Sequence, residues 1–143
     1  MKISKVTLLT LGVSDLDKAT TFYENVLGTP PNTSYGAVTF FELPGTWLAL
    51  YPMDQLARDI SPEIPAVRGG FSGVTLAHNA RSREDVVAVM RRAESAGARI
   101  VKEPQDTFWG GFSGYFADPD GHYWEVAWGP MFGFKENGDM VFK

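Results

Sequence analysis

Apolar and polar positions alternate through residues 3–13, with Leu9, Leu11 and Val13 on one face and Val6, Leu8 and Thr10 on the other. That segment reads as a β-strand. The period then lengthens. Leu16, Ala19, Tyr23 and Val26/Leu27 recur at helical spacing, Ser14 stands ahead of them as an N-cap with Asp17 three residues on, and Gly28 supplies the stop. The same plan returns in the second half. Phe71–His78 reads as a strand, Ser82 as an N-cap with Asp85 at the third helical position, Val86, Val89/Met90 and Ala93 as the stripe, and Gly97 as the end. Ser14 to Gly28 spans fourteen residues and Ser82 to Gly97 spans fifteen.

The segments after the two helices match as well. After the first come strands expected near Thr33–Tyr35 and at Ala37–Leu43, a Pro44-Gly45 turn, and Thr46–Tyr51 closed by Pro52. After the second come Arg99–Lys102, Gly111–Ala117, an Asp-Gly turn, and His122–Trp128 closed by Pro130. Each half therefore reads β-α-β-β-β, an internal repeat of two similar units. The expected boundaries are module one over 3–52, a linker over 53–70, module two over 71–129 and a C-terminal tail over 130–143. The linker holds Pro62, Pro65, Gly69 and Gly70, with one short helical turn at Asp54–Arg58. In the tail, Lys135–Asp139 reads as a turn that folds Met131–Phe134 back.

Composition narrows the setting. A chain of 143 residues is most simply one domain, able to bury about 68–70% of its unfolded surface. It has no cysteine, so disulfides, thiolate metal sites and cysteine nucleophiles are excluded. Thirteen basic against seventeen acidic residues give a formal charge of −4 without charge runs, which speaks against nucleic-acid and anionic-membrane partners. The opening MKISKVTLLTLGVSD is too short in its apolar part for a membrane span or a secretory signal, so a cytoplasmic protein is expected.

Candidate chemistry concentrates in Tyr115-Phe116-Ala117-Asp118-Pro119-Asp120-Gly121-His122-Tyr123-Trp124-Glu125. Asp-Pro-Asp-Gly is turn chemistry, with Pro119 fixing its own φ and Gly121 tolerating a positive one. Beyond the turn, Tyr123, Glu125 and Ala127 share one strand face and Trp124, Val126 and Trp128 the other. A lone carboxylate among aromatics in mid-strand is costly to bury unless something pairs with it. Glu125 is then solvated in a cavity, hydrogen-bonded, or a metal ligand. Phe108-Trp109-Gly110-Gly111-Phe112 is the second distinctive stretch, because its glycine pair permits close approach of a ligand to Trp109. Trp47, Tyr51, Tyr115 and Tyr123 are strand aromatics suited to core or pocket wall. His78 reads as a residue at a strand end, and His122 as one that hydrogen-bonds within its turn.

With strand, helix and three strands repeated, and with VSDLDKATTFYENVLG and GYFADPDGHYWEV in matching places, the chain resembles the vicinal oxygen chelate superfamily over about residues 3–130. That group includes glyoxalase I, extradiol dioxygenases, fosfomycin-modifying enzymes and bleomycin-sequestering proteins. The resemblance implies an α+β fold in which two βαβββ modules form a curled mixed sheet, a half-barrel around a cavity, with helices on the outer face. It also implies a homodimer. Metal-dependent members hold a divalent ion with His, Gln or Glu side chains on the cavity face, where it acts as a Lewis acid. Carried onto this chain, those positions fall on Leu8, about Ala49, Gly73 and Glu125. Only Glu125 carries a donor, so no metal site and no cofactor are expected, and glyoxalase I chemistry lacks its metal set; a private divalent site using His78 and His122 stays open.

Three functional readings are compatible with these residues. The first is a metal-free protein binding a small organic molecule in an inter-module cavity lined by Leu8, Trp47, Tyr51, Gly73, Trp109 and Tyr115, with Glu125 as its polar group. The second is an enzyme of the same fold, lyase- or dioxygenase-like, using a rearranged metal site or Glu125 as general base. The third is a structural or regulatory dimer whose side chains fill that space.

Overall fold

The computed structural model describes residues 1–67 and 69–143; Arg68, inside the expected linker, lies outside the described residues. The chain divides into two compact units, residues 1–72 and 73–143. The class is α+β as expected: among the described residues, three helices and nine strands lie in mixed and antiparallel sheets, none of them closed into a barrel. No helix among the described residues is long and apolar enough to cross a membrane.

The first unit runs β1 (Leu8–Val13), α1 (Leu16–Leu27), β2 (Thr39–Phe41), β3 (Trp47–Pro52) and α2 (Met53–Ile60). Its sheet order is β1-β3-β2, with β1 parallel and β2 antiparallel to β3. Leu9, Leu11 and Val13 share a face with Leu48, Leu50, Thr39 and Phe41, and α1 packs on it. There the Tyr23 ring lies 4.9 Å from Phe22 and 6.4 Å from Phe41, and the Thr20 and Thr39 hydroxyls share a 2.8 Å hydrogen bond. Tyr23, Phe41 and Leu50 are fully buried.

Several expectations change here, each for a local reason. The strand expected over 3–13 pairs only from Leu8, because its partner begins at Trp47; before that, Val6 and Lys5 meet the Gly45–Thr46 turn through single bonds to Thr46 and Gly45. The helix is capped by Asp15 rather than Ser14, its carboxylate accepting from the Lys18 N–H at 3.0 Å. Gly28 ends it as expected, at φ 65° with its N–H on the Glu24 carbonyl. Phe22 joins the buried stripe while Leu16, Val26 and Leu27 are only half-buried. No strand forms at Thr33–Tyr35, so module one is βαββ and not βαβββ. Pro30 and Pro31 donate no ladder bond, and the Asn32 side chain folds back onto the Ser34 N–H, so the fourth strand is reduced to one Asn32–Phe40 bridge. The short turn expected in the linker is the full helix α2.

The second unit runs β4 (Leu76–Asn79), α3 (Arg83–Ser95), β5 (Arg99–Asp106), β6 (Phe112–Ala117), β7 (Tyr123–Trp128), β8 (Phe132–Phe134) and β9 (Met140–Phe142). Its main sheet has the order β4-β7-β6-β5, with β4 parallel to β7 and the rest antiparallel. This module carries the complete βαβββ plan. Ser82 caps α3 through its hydroxyl on the Asp85 N–H at 3.1 Å, and Val86, Met90 and Ala93 are buried against the sheet. Gly114 lets the helix sit close: a methyl there would come within 3.0 Å of the Met90 Cε and 2.8 Å of the Lys102 carbonyl. The strand expected from Phe71 starts only at Leu76, because its parallel partner β7 begins only at Tyr123, just after the Asp118–His122 turn. The edge strand β5 continues past Lys102 to Asp106 by bulging on either side of Lys102.

The C-terminal tail folds back as expected. β8 and β9 form a hairpin closed by the Lys135 N–H on the Asp139 carbonyl at 2.9 Å. Phe132 carries it, 5.9 Å from the Trp109 ring and 6.1 Å from Phe142.

Removing either cap should lower stability by about 1 kcal/mol. Asp15→Ala and Ser82→Ala are expected to show this in urea unfolding, with Ser14→Ala costing less than Asp15→Ala.

Candidate functional site

In the second unit the pairing of β6 with β7 sets Tyr115 directly opposite Glu125. Side chains alternate across the sheet, so Glu125 shares a face with Ala77, Tyr115 and Tyr123, while Phe116, Trp124 and Val126 turn to the α3 side. The Tyr115 hydroxyl donates to the Glu125 Oε2 at 3.2 Å. Among the described residues no basic side chain pairs with this carboxylate, and its second oxygen has no protein donor. Burial, with the neighbouring Glu125 charge and hydrogen bond added, pushes the Tyr115 phenol above its ordinary pKa. Tyr115 is thus a neutral donor throughout the physiological range. Chemically the pair offers one anchored carboxylate oxygen and one oxygen available to a hydrogen-bond donor.

The other residues singled out from the sequence fall in three places. Leu8, Trp47 and Tyr51 share the face of the three-stranded sheet opposite α1, where Leu8 pairs with Trp47 and the Trp47 ring lies 6.2 Å from Phe40. Leu8 and Trp47 are 40% and 41% exposed, so this is an accessible apolar face. Gly73 precedes β4 instead of standing within a strand, at φ +85°, a conformation that side-chain-bearing residues rarely adopt. Trp109 covers Gly111 and Gly129, whose lack of side chains admits the indole, and stacks toward Phe132. Its contacts are with the C-terminal hairpin. Of the Gly110-Gly111 pair, Gly111 is the one against which the indole packs.

A second polar group lies on the α3 side, and sequence reasoning passed over most of it. His78, Asn79 and Arg81 at the end of β4, with Asp85, Ala88 and Val89 of α3, line an open cleft of about 280 Å³. Desolvation pulls the His78 pKa below its ordinary 6.5, and Asp85 partly offsets this. His122 makes its local turn contact, its N–H donating to the Asp118 Oδ1 at 2.8 Å.

The donors present do not fit the metal centre that the resemblance implies. Leu8 and Ala49 have no lone pairs to offer, Gly73 has no side chain, and among the described residues no three His, Asp or Glu side chains gather as a metal-binding group.

Comparison with known proteins places these features in a family. The model of the glyoxalase/bleomycin resistance protein/dioxygenase superfamily matches residues 5–126. A metallothiol transferase FosB of Shouchella clausii is 32% identical, over 90% of this chain and 83% of that protein. A glutathione transferase FosA of Serratia marcescens is 30% identical, over 86% and 79%. Among solved structures, a glyoxalase-related enzyme from Fulvimarina pelagi superposes with a TM-score of 0.86 at 31% identity, over 98% of this chain and 99% of that one. The fosfomycin resistance protein FosX of Listeria monocytogenes superposes with a TM-score of 0.69 at 27% identity, over 91% and 97%.

The lowered His78 pKa fixes a direction for acid sensitivity. The unfolded chain takes up a proton near 6.5 while the folded ring resists it, so the stability of the neutral ring is full above that value. It is lost as pH falls toward the lowered native pKa. His78→Asn should flatten this limb, seen as a smaller stability difference between about pH 7.5 and about pH 5.5 in urea unfolding.

Proposed function

The chain belongs to the glyoxalase/bleomycin resistance protein/dioxygenase superfamily, and from that premise we propose that it binds a small organic molecule through Glu125, without the family's usual metal. The observation that carries this reading is the half-satisfied carboxylate. Tyr115 holds one oxygen of Glu125 in place, no basic side chain among the described residues neutralises it, and the other oxygen is left for a ligand that donates a hydrogen bond. A carboxylate with one oxygen anchored and the other open is a ready acceptor for such a ligand. The missing donors at Leu8, Ala49 and Gly73 support a binding role over Lewis-acid chemistry.

A transferase is the second reading. It is favoured by the FosB and FosA relatives, whose names specify a metallothiol and a glutathione transferase. In that reading Glu125 acts as a general base or as part of a rearranged metal site. The two separate on metal content and on response to divalent ions. In a thermal-shift screen of small organic molecules including fosfomycin, the binding reading expects stabilisation that is the same with and without divalent ions. Stoichiometric zinc, manganese, nickel or iron lost in Glu125→Gln would decide for the enzyme.

Glu125→Gln keeps shape and removes charge. It should weaken the hit from that screen by about tenfold or more while leaving the melting temperature nearly unchanged. If the variant instead lowers the melting temperature and leaves affinity alone, the Tyr115–Glu125 bond is structural and the proposal fails.

The proposed assembly is a cytoplasmic homodimer. Its support is the apolar surface the single chain leaves in water, with Tyr35, Phe71, Phe108 and Phe142 all exposed. Light scattering at micromolar concentration should give twice the chain mass; a monomer would remove this part.

A further inference from the structure

The cleft between the end of β4 and helix α3 lies on the α3 side of the four-stranded sheet, away from the Glu125 face, and it carries both signs of charge. Arg81 is its cation. The guanidinium lies 4.5 Å over the Phe134 ring, which holds it in position, and among the described residues no carboxylate reaches it. The neighbouring Arg83, by contrast, is engaged by Asp106 and by the rings of Phe112 and Trp128. Asp85 is the anion, and among the described residues no Lys or Arg pairs with its carboxylate; Ser82 engages only its backbone N–H. His78 and Asn79 also line the cleft, and the Asn79 amide nitrogen is turned toward Met140. Ala88 and Val89 form the apolar wall.

This combination is selective. A simple anion drawn to Arg81 meets the like charge of Asp85, and a simple cation drawn to Asp85 meets Arg81. A molecule with a carboxylate at one end and an ammonium at the other satisfies both, and planar guanidinium–carboxylate pairing fixes its orientation. The volume of about 280 Å³ admits a molecule of amino-acid size, and the alanine–valine wall suits a small aliphatic side chain. We propose that this cleft is a second ligand site that takes a small zwitterion, an aliphatic α-amino acid in class, with Arg81 holding the carboxylate and Asp85 the ammonium. The uncharged His78 ring adds a hydrogen-bonding group without upsetting that balance.

The test is titration of the full chain, ¹⁵N-labelled, with L-valine, isobutyrate and isobutylamine. L-valine should move the amides of residues 78–81 and 85–89 saturably, with a dissociation constant on the order of a millimolar. The two single-charge analogues should bind at least about tenfold more weakly. Arg81→Gln and Asp85→Asn should each weaken L-valine by a similar factor, and Arg81→Lys should recover part of the loss because it keeps the charge. Amide dispersion outside the cleft confirms that each variant is folded; one that fails this check is replaced by another charge-removing variant, Arg81→Met or Asp85→Ser. The proposal is overturned if L-valine gives no saturable shifts at those amides, if isobutyrate or isobutylamine binds as well, or if both charge-removing variants retain full affinity.

Discussion

One buried carboxylate sets the geometry of the second unit. Asp118 accepts hydrogen bonds from the Asp120 and His122 N–H groups at 2.9 and 2.8 Å, and its own N–H reaches the His122 carbonyl at 2.9 Å. These bonds close the turn at one length and so fix the register of β7 on β6, with Ala117 opposite Tyr123 and Tyr115 opposite Glu125. In a sheet, a slip of one residue exchanges the two faces. It would carry Glu125 to the α3 side and send Val126 to the other. The turn therefore decides both that the core under α3 is apolar and that the carboxylate meets a tyrosine.

The two units show what the repeated plan requires. Each joins its first strand in parallel to the last strand of its own module, β1 to β3 and β4 to β7, with a helix packed on one face. The second unit has a full complement of four strands, and the first replaces its outermost strand with a single bridge from Asn32. The helix-facing core tolerates this loss because Tyr23, Phe41 and Leu50 sit on the inner strands and on α1. What the shortened module exposes is the opposite face, where Tyr35, Phe40 and Trp47 meet edge to face.

Family membership constrains the chemistry less than the side chains do. Glu125 supplies a carboxylate on the final strand, but Leu8 and Ala49 carry no donor side chain, and Gly73 stands at φ +85°, a conformation unfavourable to a side-chain-bearing residue. The donor that strand pairing gives this carboxylate is the phenol directly across the ladder.

The sequence by itself determined the alternation of strands and helices, the stop at Gly28, the cap at Ser82, the turn at Asp118–Gly121, the tail hairpin and the facing of Glu125 with Tyr123. Each is set within a few residues by periodicity, capping or turn chemistry. Where strands begin and end depends on a neighbour that no local signal announces: β1 waits for Trp47, and β4 waits for the end of the turn before β7. The fourth strand of module one was lost to two prolines and an asparagine side-chain turn that outweighed the repeat. The sequence singled out Glu125 and Tyr115 as candidates, but only the pairing of strands brought them into a hydrogen bond. Trp109 packs over Gly111 and Gly129 beside Phe132, and the joining of Arg81 and Asp85 around one cleft required the packing of α3 on the sheet. Contacts between residues distant in sequence are set by how whole faces bury each other, and that is a property of the assembled sheet and helix.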